Sequence, residues 1–296
     1  MLEFADISKI NAADWLELNF IISNIKILSK EVLTSNIDDY YEEKQEENVD
    51  VEFEDLMNNM YNEITNRKRI LTDKYFLNNS IDTIDLNINI RNNEIYKFML
   101  FLSTHNIYGS TKLKGKKLSQ AAMLFEEVIT DILEQFSGNA KRIGHPRRNM
   151  PTNLKNSINV LCEYMNEPFN SFDDLPKYSK DADVDIISWK PYDCRPGQQI
   201  LLVSCKCSPD WEEETIVPLD LWTSLINFRV HPHIGFAIPH VISDIEKWNS
   251  QSKIKGILFD RLRVLNITSK IKDVELNREI KEWNNAQCDL LRRYKL

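Results

Sequence analysis

One stretch limits the architecture more than any other. Gln199 to Cys207 holds the unbroken apolar run Ile200-Leu201-Leu202-Val203, followed by Ser204-Cys205-Lys206-Cys207. A run without alternation reads as an interior strand, covered on both faces. Upstream, Val184 to Trp189 is a second strand-like run, and Pro191, Asp193, Pro196 and Gly197 between the two supply a turn. Two such runs about a turn predict an antiparallel hairpin. Gly235 to Ile242 predicts a further strand, and Gly256 to Ile267 either a last strand or a short helix.

Helical patterns surround these strands. Ser119 is a good N-cap for a helix over Gln120 to Phe136, with Phe125, Val128, Ile129, Ile132 and Phe136 as its core stripe and Gly138 as its stop. Further helices are predicted over Leu154 to Met165 and Asp273 to Tyr294. The region from 109 to 296 is therefore expected to be one α/β domain. Residues 1–108 read as a helical domain, with helices over Ala12 to Leu33, Phe53 to Leu71 and Asn93 to Thr104. Between the last two, Ile84, Leu86, Ile88 and Ile90 alternate in a way that equally fits a short strand.

Charge is unevenly distributed. Residues 1–60 hold 15 Asp and Glu against 4 Lys, whereas the remainder holds 30 acids against 33 bases. An acidic first domain is expected to dock a protein partner, and the rest remains able to bind a polyanion. No apolar run reaches the ~18 residues of a membrane span. Met1 to Asp6 carries acid where a secretory signal has basic charge, so a cytoplasmic location with no membrane association is expected. Five scattered cysteines in a long chain predict reduced thiols rather than a disulfide framework.

Three pieces of the α/β region can carry chemistry. Asp185 heads one strand, Lys206 ends the next, and Glu126 lies on the upstream helix. On the wheel Glu126 is about 100° from Phe125, beside the apolar stripe, whereas Glu127 is about 200° away and faces solvent. Side chains alternate along a strand, so Ser204 and Lys206 share one face and Cys205 and Cys207 the other. An ammonium at the end of an interior strand is costly unless it is paired or used.

A helix bearing a glutamate, an acid heading one strand and an apolar strand ending in x-Lys together resemble the PD-(D/E)XK nuclease superfamily, the restriction-endonuclease-like fold. The likeness covers roughly residues 119–210. It implies a mixed sheet flanked by helices, preceded here by the helical domain, and a metal-dependent endonuclease that hydrolyses phosphodiester bonds in DNA. It further implies Mg²⁺ or Mn²⁺ held by Asp185 with help from Glu126, and Lys206 as the motif lysine that orients the attacking water. Ser204 stands where the superfamily carries an acid or glutamine, which removes one carboxylate from the metal. Asp183, two residues before Asp185, would compensate if the strand extends that far. Val184 to Pro191, Ile238-Pro239-His240 and Phe259 to Arg263 are also similar to segments of uncharacterised bacterial proteins linked to restriction and phage defence. An effector of anti-phage defence is the function this implies; the alternative is a catalytically silent nuclease-fold subunit that binds nucleic acid or assembles with a partner.

Basic segments flank the candidate helix on both sides: Lys112, Lys114, Lys116 and Lys117 before it, and Arg142, Arg147 and Arg148 after it. Such residues give salt-dependent contacts to phosphate. They are the expected nucleic-acid-binding residues, and nothing in them separates DNA from RNA. Cys205-x-Cys207 with His231-x-His233 has zinc-type ligands but no familiar finger spacing. His145 or His240 paired with a cysteine lacks the supporting motif of a nucleophilic site.

Overall fold

The computed structural model of the chain describes residues 12–23, 25–35, 49–80, 82–86, 93–105, 116–170 and 182–294. Two compact units emerge: residues 1–116 together with 277–296, and residues 117–276. The chain thus returns to its first unit at the end. The expected boundary at 108/109 falls outside the described residues.

In the first unit, α1 (Ala12–Ile22) is enclosed on nearly all sides, and its acids Asp14 and Glu17 are buried with it. Arg67, on α2 (Val49–Leu71), makes this tolerable. Its Nη1 donates to Asp14 Oδ1 and Glu17 Oε1, both at 2.7 Å, and its Nε donates to Glu63 Oε1 at 2.6 Å. The Tyr75 and Tyr96 hydroxyls donate to Glu17 as well. A buried carboxylate left unpaired costs several kcal/mol, so this network is the condition for enclosing α1.

The helix expected to reach Leu33 stops at Ile22. Ile27–Ser29 instead forms β1, which pairs antiparallel with β3 (Thr83–Leu86) and completes a three-stranded sheet with β2 (Leu77–Asn79) in the order β1-β3-β2. Strand pairing of an Ile-rich segment outweighs its helical spacing. Ile88, Ile90 and the acidic stretch from Asp38 to Glu47 lie outside the described residues. α3 (Glu94–Thr104) begins at Asn93, whose side chain accepts from Tyr96 N–H. The last helix, α9 (Val274–Tyr294), belongs to this unit from Asn277 onward. There Trp283 meets Phe98 edge-on at 4.9 Å, and Asn284 Nδ2 donates to Glu94.

The second unit is an α/β structure around a five-stranded mixed sheet in the order β4-β5-β6-β7-β8. It opens with α4 (Lys116–Ser137), longer at its start than its sequence signals, and turns at Gly138 (φ +98°) into β4 (Asn139–Arg142). Phe125, Val128, Ile129 and Ile132 are buried as expected, whereas Phe136 is 63% exposed, one residue from the helix end. After α5 (Leu154–Met165) come β5 (Ile186–Lys190) and β6 (Gln199–Cys205), the predicted antiparallel hairpin with Ile186 opposite Val203. α6 (Leu219–Leu225) leads to β7 (His233–Ala237), parallel to β6. α7 (Ile245–Lys255) leads to β8 (Ile257–Phe259), parallel to β7. α8 (Arg261–Ile267) follows at once, so Gly256 to Ile267 holds both a strand and a helix.

Ile187, Trp189, Ile200 and Leu202 pack with Leu154, Ile158, Leu161 and Trp222 in one core. Ile186 and Val203, alternate with them, are also fully buried, which accounts for the unbroken apolar run. Among the described residues, no helix is long and apolar enough to cross a membrane.

Candidate functional site

The end of β6 and the start of its antiparallel neighbour β5 form one rim of the sheet, and Asp185 is stitched into it. Its N–H donates to Val203 O at 2.9 Å, and its carbonyl accepts from Ile143 N and Gly144 N at 2.7 and 3.0 Å. Its side-chain Oδ2 accepts from Cys205 N at 2.7 Å, the residue before Lys206. Asp185 is buried, and this bond extends the β5–β6 ladder by one side chain.

Glu126 reaches the same place from α4. Its Oε2 accepts from Arg142 Nε at 2.6 Å, and its side chain is 15% exposed. Gly144 shows how close the two acids come. A Cβ added there would lie 2.3 Å from Glu126 Oε2 and 3.1 Å from Asp185 Oδ1. Both carboxylates therefore converge on a bare Cα, in a cradle that any larger residue would fill.

Lys206 follows directly, half-buried, its N–H donating to Ala237 O at 2.9 Å. Cys205 and Cys207 register the local field. Burial pushes both thiols well up, Asp185 and Glu126 push them further, and the Lys206 ammonium pulls the other way. The carboxylates outweigh the amine at both positions, so the cysteines stay protonated thiols.

The remaining expected residues are placed differently. Ser204 is fully buried, and its Oγ has no hydrogen-bond partner among the described residues. A hydroxyl enclosed in this way does not line a cleft, and a catalytic part for it finds no support in its position. Asp183 sits in a turn with Ala182, at φ +56° and +52°, exposed, with Oδ1 accepting from Thr215 Oγ1 at 3.2 Å. The strand does not extend back to it, so the condition for its joining Asp185 on one face fails. Among the described residues, no group of three or more His, Cys, Asp and Glu is arranged to hold a metal ion. That covers the Cys205, Cys207, His231 and His233 combination and leaves an acid pair, Asp185 with Glu126. A pair still suits a hydrated Mg²⁺, which takes one or two carboxylates and keeps several waters.

Lys112 and Lys114 lie outside the described residues, and Lys116 and Lys117 begin α4. Of the arginines, Arg147 is buried with Nη1 donating to Thr152 O at 2.9 Å, and Arg148 pairs with Glu127 at 3.2 Å. Arg142 turns inward to Glu126 and donates from Nη1 to Pro146 O at 2.8 Å. Of the three arginines, two are thus committed to the fold, Arg142 to α4 and Arg147 to the loop that leads into α5.

No family model, curated protein or solved structure matches this chain.

Of two further residues near the rim, Lys255 carried no signal in the sequence, and His240 drew notice there only as a cysteine partner and within the Ile238-Pro239-His240 segment. Lys255, at the last turn of α7, is 2% exposed, donates from Nζ to Glu214 O at 2.9 Å and lies 4.4 Å from the Phe236 ring centre. Burial lowers its pKa, Glu214 and Glu212 raise it, and Lys206 lowers it. His240 Nε2 lies 3.1 Å from Ser208 O, restraining the loop that follows Lys206.

Proposed function

We propose that residues 117–276 form a metal-dependent nuclease unit that hydrolyses phosphodiester bonds in DNA. The observation that carries this reading is the convergence of the Asp185 and Glu126 carboxylates on Gly144, beside the end of β6, which Lys206 directly follows. The architecture is compatible with it as well: an acid-bearing helix and strands β4 to β7, with helices between β4 and β5 and between β6 and β7, build a mixed sheet accompanied by helices.

In this reading Asp185 and Glu126 hold a hydrated Mg²⁺ or Mn²⁺. When bound, such a cation supplies a water of lowered pKa and neutralises charge on the phosphate oxygens. Asp185 is fixed by the Cys205 N–H, so its carboxylate is held in place without reorganisation. Lys206 orients the attacking water and stabilises the charge that builds on the phosphate. The acidic first sixty residues dock a protein partner in a cytoplasmic defence complex. Cleavage of plasmid DNA with Mg²⁺ or Mn²⁺ is expected, and both Asp185→Ala and Lys206→Ala should lower its rate at least 100-fold. Cleavage that survives both substitutions would exclude this site.

One observation favours a second reading, a nucleic-acid-binding or assembly subunit without catalysis: Ser204 gives no carboxylate at the position where the motif carries its second acid. Salt-sensitive DNA binding without any cleavage would establish it.

A further inference from the structure

Two carboxylates pressed against one Cα repel each other unless a positive charge stands with them. Arg142 supplies that charge. Its Nε–Glu126 Oε2 contact at 2.6 Å is backed by the Nη1–Pro146 carbonyl bond at 2.8 Å, and its side chain is only 8% exposed. Its third nitrogen, Nη2, is buried with no hydrogen-bond partner among the described residues. A guanidinium does not lose its proton, so this is a permanent cation held where a divalent ion would compete for the same oxygen.

We infer that Arg142 is the internal counter-ion of the Asp185–Glu126 pair and sets the affinity of that pair for a hard divalent cation. The inference rests on the reading of this pair as a cation site. With Arg142 in place, the two acids and the guanidinium together carry one negative charge instead of the two of the bare pair, and an entering ion must share Glu126 Oε2. Arg142 therefore acts as a positioning residue: it keeps the two acids together without metal, and it makes capture of the metal weaker. The unmet Nη2 donor adds to this, since an arginine drawn off Glu126 gives up only an incompletely satisfied seat.

The test is calorimetric titration of the full chain with Mn²⁺, alongside thermal unfolding in EDTA. Arg142→Gln should bind Mn²⁺ about tenfold or more tightly than the unsubstituted protein, and should melt at a lower temperature in EDTA. Arg142→Lys, which keeps the charge and loses the planar fork, should fall between them. It also provides the comparison if the glutamine variant does not fold. Glu126→Gln should weaken binding in either background. Tight Mn²⁺ binding that is lost in Glu126→Gln but unchanged or weakened in Arg142→Gln and Arg142→Lys would overturn the inference while leaving the cation site standing. No Mn²⁺ binding by any of the proteins would overturn both.

Discussion

A methyl group at residue 144 is the smallest change that separates site chemistry from folding. Gly144→Ala would set its Cβ against Glu126 Oε2, the far end of a flexible side chain rather than backbone. Glu126 can swing aside, at the expense of its Arg142 Nε contact, and it then leaves the neighbourhood of Asp185. Mn²⁺ affinity should drop at least tenfold while the melting temperature moves by only a few degrees, as calorimetry and thermal unfolding would show. Asp185 and Lys206 were legible in the sequence because strand ends carry their positions locally: an apolar run, then a charge. Glu126 was legible from its angle to Phe125. Gly144 and the inward turn of Arg142 were not, since they depend on which loop folds back over α4. Asp183 failed as a candidate because two consecutive positive φ angles end the strand before it, and an Ala-Asp pair does not announce them.

Among the elements, the sheet of the second unit was largely readable and the small sheet of the first was not. β5 and β6 are each long enough to show a pattern, whereas β1 and β2 hold three residues apiece. A three-residue strand exists because of its partner, so Ile27–Ser29 read as the tail of a helix. α7 ends with a feature of another kind, Lys255 buried ahead of Gly256. Its folded-state pKa lies below the ordinary lysine value, so between those two values the unfolded chain binds more protons. Stability from this residue is fully present above the ordinary value and is lost as pH falls through the folded one. Between pH ~8 and ~10.5 this gain opposes the loss from the raised Cys205 and Cys207 thiols, so urea unfolding should show stability falling more steeply with pH in Lys255→Gln than in the unsubstituted protein.

At the scale of the molecule, the contribution of α9 to the first unit sets what a truncation does. Removing residues 277–296 takes away the Trp283–Phe98 contact and the Asn284 bonds to Glu94. Hydrogen exchange should then lose protection in Ala12–Ile22 and Glu94–Thr104 while β5 and β6 keep theirs. Equal loss in both units would contradict the division. A reading along the sequence assigns a terminal helix to the domain it follows, which is why this return was not visible there. The outer position of β4 has its own consequence. Four residues long and paired only with β5, β4 is one of the two outer strands of this sheet, and Arg142 is its final residue. The residue after it, Ile143, is sealed in the core and donates its N–H to Asp185 O. The arginine thus rides on the hem of the sheet, yet the seam that holds it is sewn to the same aspartate whose charge it balances.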